Sequence, residues 1–215
     1  MDAKNTLKQH LIVSIFSLGL ALILRFLLNL SWSVSFARVS FILLFLVLVI
    51  GPIMRMKKSG GNLLPSFAPS SWRGEIGIWF FITGLTHFIF VFLRRPLSEL
   101  IKLGGGGYGL ANLLGLIALF WALLLAATSF GKVIAFLGID LWKKFHTLTY
   151  VVFYLVAGHF IYFQFFSTYG EIGPDWFGYL AVIMTGIIIA LQLFAFLLMI
   201  IKYRKEVSTP GQQPK

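Results

Sequence analysis

The stretch that decides the fold is Trp142-Lys-Lys-Phe-His146-Thr-Leu-Thr-Tyr150-Val-Val-Phe-Tyr-Leu-Val-Ala-Gly-His159-Phe160. It is an apolar, aromatic-rich run, opened by two lysines and long enough to cross a bilayer, which takes about 20 residues. Two of the chain's four histidines lie in it, thirteen residues apart. An imidazole inside a membrane span carries a desolvation cost, so its presence calls for a partner. A metal is the simplest partner, and the metal most often held by two histidines on separate membrane helices is haem iron.

The rest of the chain agrees with a membrane setting. Of its 215 residues 59% are hydrophobic and 12% charged, and the mean hydropathy is +0.90. A soluble domain does not hide that much apolar surface. There is no cysteine, which excludes disulfides, iron–sulfur clusters, c-type haem attachment and thiol catalysis. A net charge of +11 would suggest nucleic acid in a soluble protein; here the cations fall in short connections and read as topology signals, with membrane lipid and not nucleic acid as the partner.

Six stretches have the length and composition of a span: about 11–29, 39–56, 74–93, 109–130, 145–166 and 177–201. The expected fold is therefore all-α, a six-transmembrane-helix bundle over 11–201, with a short N-terminal segment 1–10 and a polar tail 202–215. The first run lacks a small-residue cleavage site after it and reads as a retained span. Thirteen Lys and Arg fall on the side of both termini, among them Arg55, Lys57, Lys58, Arg73, Lys132, Lys143 and Lys144; the other side receives Arg25, Arg38, Arg94, Arg95 and Lys102. The positive-inside rule then makes both termini cytoplasmic, in a multi-pass protein of the inner cell membrane.

Two segments resemble motifs without their context. Gly104 to Gly109 holds a formal G-x-G-x-x-G, but it follows no strand and reads as a loop. Lys57–Gly61 is a basic turn that fits a topology signal.

The histidines reward depth arithmetic. His87 is 13 residues past Gly74 and His159 is 14 past Phe145, so each lies about 20 Å from the start of its span at a rise of about 1.5 Å per residue. Both spans run the same way, which puts two imidazoles at one level in the outer half. That arrangement suits the two axial ligands of one haem b. His146 lies about 20 Å lower, and the corresponding place on span three is Arg73, which cannot ligate iron; a second haem at His146 stays open. Gly84, one turn before His87, leaves space for a flat macrocycle. Phe145, Phe153, Phe160, Trp79 and Phe80 supply aromatic bulk, and Arg94, with Arg95 and Arg38, is a candidate partner for propionates. His10 reads as interfacial. Thr128-Ser129 reads as a pair of hydroxyls bonding the last carbonyls of span four.

Trp72-Arg-Gly-Glu-Ile-Gly77-Ile-Trp-Phe with His87 ten residues past Gly77, Thr128-Ser129, Trp142-Lys-Lys-Phe-His146 with His159 thirteen residues on, and Gly51-Pro52 together resemble the ferric reductase-like transmembrane domain family. The resemblance covers roughly 38–166. It is nearest to short bacterial forms such as the haem-carrying membrane subunit of the periplasmic methionine sulfoxide reductase system. It implies that His87 and His159 ligate the outer haem and that His146 matches an inner ligand whose partner is replaced by Arg73. The short forms carry a basic Pro-Tyr segment before helix four, where this chain has Lys102-Leu-Gly-Gly-Gly-Gly-Tyr108.

The expected function is that of a b-type cytochrome relaying electrons outward. Its donor would be membrane quinol or a cytoplasmic flavin reductase, and its acceptor an external reductase partner or ferric iron. FMN or a quinone could bind as well, though no motif marks a place for either. The alternative is a non-redox transporter or assembly factor whose histidines pack or handle protons. Against it, no carboxylate is expected at the depth of His87 and His159, where a proton relay would need one.

Overall fold

A backbone without access to water must satisfy its own N–H and C=O groups, which in a chain this apolar favours helices. The computed structural model describes residues 3–60, 72–101, 108–166 and 174–207, and among these it is helical with no strand. The helices are α1 (Ala3–Phe26), α2 (Trp32–Gly60), α3 (Trp72–Phe92), α4 (Leu97–Leu100), α5 (Tyr108–Ala127), α6 (Gly131–Leu137), α7 (Ile139–His146), α8 (Thr149–Ile161) and α9 (Trp176–Val207), with a π-helical turn, Tyr162–Phe166, continuing α8. Among the described residues six segments are long and apolar enough to cross a membrane, α7, α8 and the π turn making up one of them. The glycine run 104–107, Gly61 and the tail 208–215 lie outside the described residues, whereas Lys57–Gly60 belong to the end of α2.

α2 is the axis of the bundle. It packs against α1, α3, α8 and α9, and 56% of its apolar window is buried, against 17–28% for the other five spans. Those five turn much of their apolar surface outward, with Ile183, Leu193, Phe194 and Leu197 of α9 all exposed, as lipid-facing helices do. Pro52 lies inside α2, and Gly51 lets α8 close on it: a Cβ there would stand 3.2 Å from the Tyr150 hydroxyl and 3.7 Å from Arg73 Nη1.

α2 begins at Trp32, seven residues before the 39 expected from hydropathy. The polar residues that lower the hydropathy there find partners inside the bundle, although Arg38 Nε and Nη1 have none among the described residues. Ser35 Oγ donates to the Ser31 carbonyl at 3.0 Å, Ser33 meets His87, and Arg38, only 1% exposed, pairs with Asp175. Asp175 is also the N-cap of α9, its Oδ1 accepting from the backbone N–H of Phe177 and Gly178 at 2.9 and 3.1 Å, which meets donors that a helix start otherwise leaves orphaned. The Gln164 Oε1 accepts from the Asp175 N–H at 3.2 Å, and the Arg38 guanidinium lies 5.0 Å from the Phe177 ring centre and 5.4 Å from that of Trp176. One end of the bundle is thereby tied together across α2, the π turn and α9.

Candidate cofactor site

Next to that tied end, α3 and α8 bring His87 and His159 together. Their ring centres are 6.5 Å apart and their planes cross at 71°. Two imidazoles ligating one metal from opposite sides need a separation of about 6 Å, from metal–nitrogen bonds of about 2 Å and roughly another 1 Å from each nitrogen to its ring centre. The observed spacing matches that requirement.

Both rings are held through Nδ1. His87 Nδ1 lies 2.9 Å from the Ser33 carbonyl and 3.0 Å from Ser33 Oγ. His159 Nδ1 lies 2.7 Å from the Ala111 carbonyl of α5. A carbonyl only accepts, so Nδ1 carries the proton in each ring and the lone pair is on Nε2. That outer support is what metal-ligating histidines receive in general; it fixes the tautomer and aims the ring.

The two rings face a cavity of about 410 Å³, inside the range of roughly 300–1,000 Å³ usual for cofactor and ligand sites. Its walls are mostly apolar and aromatic, with Phe41, Phe80, Phe88, Phe160 and Phe163 among them. The polar groups besides the histidines are Ser40, Arg95, Asn112 and Gln164. The π turn matters here, because it places Phe163 5.0 Å from the His159 ring and Gln164 in the cavity wall; such wide turns are frequent at functional sites.

The other residues singled out in the sequence fall as follows. Gly84 lines the cavity, and a Cβ there would meet Ser40 Oγ at 3.1 Å, so the glycine brings α3 close to α2 as well as leaving space. Arg94 is exposed in the turn after α3, and it is Arg95 that reaches the cavity. Phe153 is buried in the core and Phe145 packs against it.

His146 is held differently. Its Nε2 lies 3.2 Å from Thr128 Oγ1, whose own proton goes to the Leu124 and Leu125 carbonyls at 2.9 and 3.1 Å. Thr128 therefore accepts, and His146 carries its proton on Nε2. Trp142 lies against His146 with ring centres 4.3 Å apart and donates Nε1–H to the Thr128 carbonyl at 3.0 Å. The expected bonding of the last carbonyls of α5 is present, since Ser129 Oγ donates to the Leu125 carbonyl at 2.8 Å.

Sequence reasoning does not find Gly115, Ala111 or Ser33. Gly115 lets α5 pass close to the His159 ring: a Cβ there would stand 2.8 Å from Nδ1 and 2.9 Å from Cε1. A glycine in mid-helix, unfavourable by about 1 kcal/mol relative to alanine, is a usable signal. Backbone carbonyl acceptors leave none.

Among the described residues no group of three or more His, Cys, Asp or Glu side chains is placed to hold a bare metal ion. Two imidazoles are too few for a closed zinc site, yet they suffice for iron in a macrocycle that supplies the remaining ligands. The residues present therefore fit a haem. Compared with protein-family models, with curated proteins and with solved structures, the chain has no significant match.

Proposed function

We propose that this chain is a b-type cytochrome of the membrane, a short form of the ferric reductase-like transmembrane domain, that binds one haem between His87 and His159 and relays electrons from one side to the other. The observation that carries the reading is the facing pair of imidazoles, 6.5 Å apart, each donating Nδ1–H to a helix carbonyl and so keeping its Nε2 lone pair available.

A haem with two imidazole ligands supplies one-electron transfer with no open position for a substrate. The protein does the rest. The Ser33 and Ala111 carbonyls orient the rings and raise their basicity. The phenylalanine walls keep water from the site. Arg95, with Asn112 and Gln164, supplies the cationic and polar contacts suited to propionate carboxylates. His146, with its Nε2–H given to Thr128, serves as a structural residue, so the stoichiometry is one haem per chain.

The distribution of positive charge supports an orientation with the termini in the cytoplasm and the His87–His159 level nearer the outer face. The donor is then a quinol or a cytoplasmic flavin reductase, and the acceptor an external reductase partner or ferric iron. Haem content of the purified variants tests the assignment. His87→Ala and His159→Ala should each lose essentially all haem, and His146→Ala should keep it. Full haem in both of the first two variants would overturn the ligand assignment.

A further inference from the structure

The angle between the two imidazoles has its own structural cause. His159 sits in a socket on α5 formed by residues one turn apart. The Ala111 carbonyl takes its Nδ1–H at 2.7 Å, and Gly115 presents bare backbone to the Nδ1–Cε1 edge of the ring. A Cβ at 115, 2.8–2.9 Å from that edge, would fall well inside the roughly 3.5–4.0 Å optimum for non-bonded carbon contacts. The ring could keep neither its position nor its hydrogen bond unless α5 moved away. His87 is held independently from α2, by the Ser33 carbonyl and hydroxyl. Two separate helices thus set two ring planes, and the planes cross at 71°.

We propose that Ala111 and Gly115 are positioning residues that lock the His159 imidazole steeply across the plane of His87, and that this crossed arrangement persists when iron is bound. The inference rests on the haem reading above and adds to it the electronic state of the iron. Each imidazole overlaps preferentially with the iron d orbital perpendicular to its own plane. Parallel planes both act on one orbital and separate the pair; crossed planes act on both and leave them nearly equal in energy. A ferric low-spin centre with crossed planes gives a strongly anisotropic electron paramagnetic resonance signal, its largest g value displaced to low field. Parallel planes give an ordinary rhombic triplet.

The test is the low-temperature spectrum of the oxidised, haem-loaded full chain in detergent, for the wild type, Gly115→Ala and Gly158→Ala. The last is a matched control beside His159, because a Cβ at 158 would meet only Leu114 Cδ1, at an ordinary 3.7 Å. The expected result is the anisotropic signal in the wild type and Gly158→Ala, and a largest g value shifted toward the rhombic pattern in Gly115→Ala. A rhombic wild type overturns the inference, and so does a loaded Gly115→Ala protein whose spectrum superimposes on the wild type. If Gly115→Ala fails to load, the wild-type spectrum decides alone. A wild type that binds no haem overturns the haem reading instead, an outcome separate from a loaded protein with the wrong signal.

Discussion

His146 and His159 lie in one membrane crossing, thirteen residues apart, and are held as opposite tautomers. His159 gives Nδ1–H to the Ala111 carbonyl and, with the His87 ring centre 6.5 Å away, lines the same cavity as His87. His146 gives Nε2–H to Thr128 Oγ1 and lies under Trp142. The difference comes from what the facing helix offers. At one level α5 offers a carbonyl beside a glycine, which steadies the ring and leaves Nε2 to point elsewhere. At the other it offers a hydroxyl already committed as a donor, which occupies Nε2. Similar residues in similar apolar helices thus become a candidate metal ligand in one place and a packing element in the other.

The contrast can be broken first at the ligands. His87→Ala and His159→Ala should empty the site while His146→Ala leaves the haem-to-protein ratio unchanged, as read from the haemochrome spectrum. The next largest effect concerns the tie that closes the same end of the bundle. Asp175→Asn keeps an N-cap side chain but strands the buried Arg38 charge, and it should destabilise the protein by about 3 kcal/mol. That is the lower end of the usual range, because Asp175 is itself 40% exposed. Thermal unfolding in detergent measures it, and an unchanged midpoint would mean the Arg38 charge does not depend on Asp175. Thr128→Val removes the acceptor of His146 and should cost about 1–2 kcal/mol with no loss of haem; loss of haem would show that His146 takes part in binding. Ser33→Ala, the mildest change, leaves the Ser33 carbonyl to hold His87. It should keep full haem and cost about 0.5–1 kcal/mol, because the hydroxyl is buried and bonded to His87.

Much of this arrangement is legible in the sequence. Hydropathy marks all six crossings, and helix rise is enough to expect His87 and His159 at one level, because a membrane span is regular and its length nearly fixed. The start of α2 escapes hydropathy because Ser33, Ser35 and Arg38 look like loop residues until the partners His87 and Asp175 arrive from distant parts of the chain. The choice between Arg94 and Arg95 turns on the helical phase at the end of α3, which hydropathy does not resolve. The tautomers are invisible, since they depend on the carbonyls of Ser33 and Ala111, atoms that every residue possesses. Gly115 stands in plain view as a glycine in the middle of an apolar helix, but only the packing of α8 shows which atom it makes way for.

The most direct measurement is a reduced-minus-oxidised absorption spectrum of the full chain purified in mild detergent, with haem and protein quantified together. The account predicts a low-spin b-type spectrum at one haem per chain. A colourless protein after haem supplementation would contradict it and leave a non-redox role for the facing histidines.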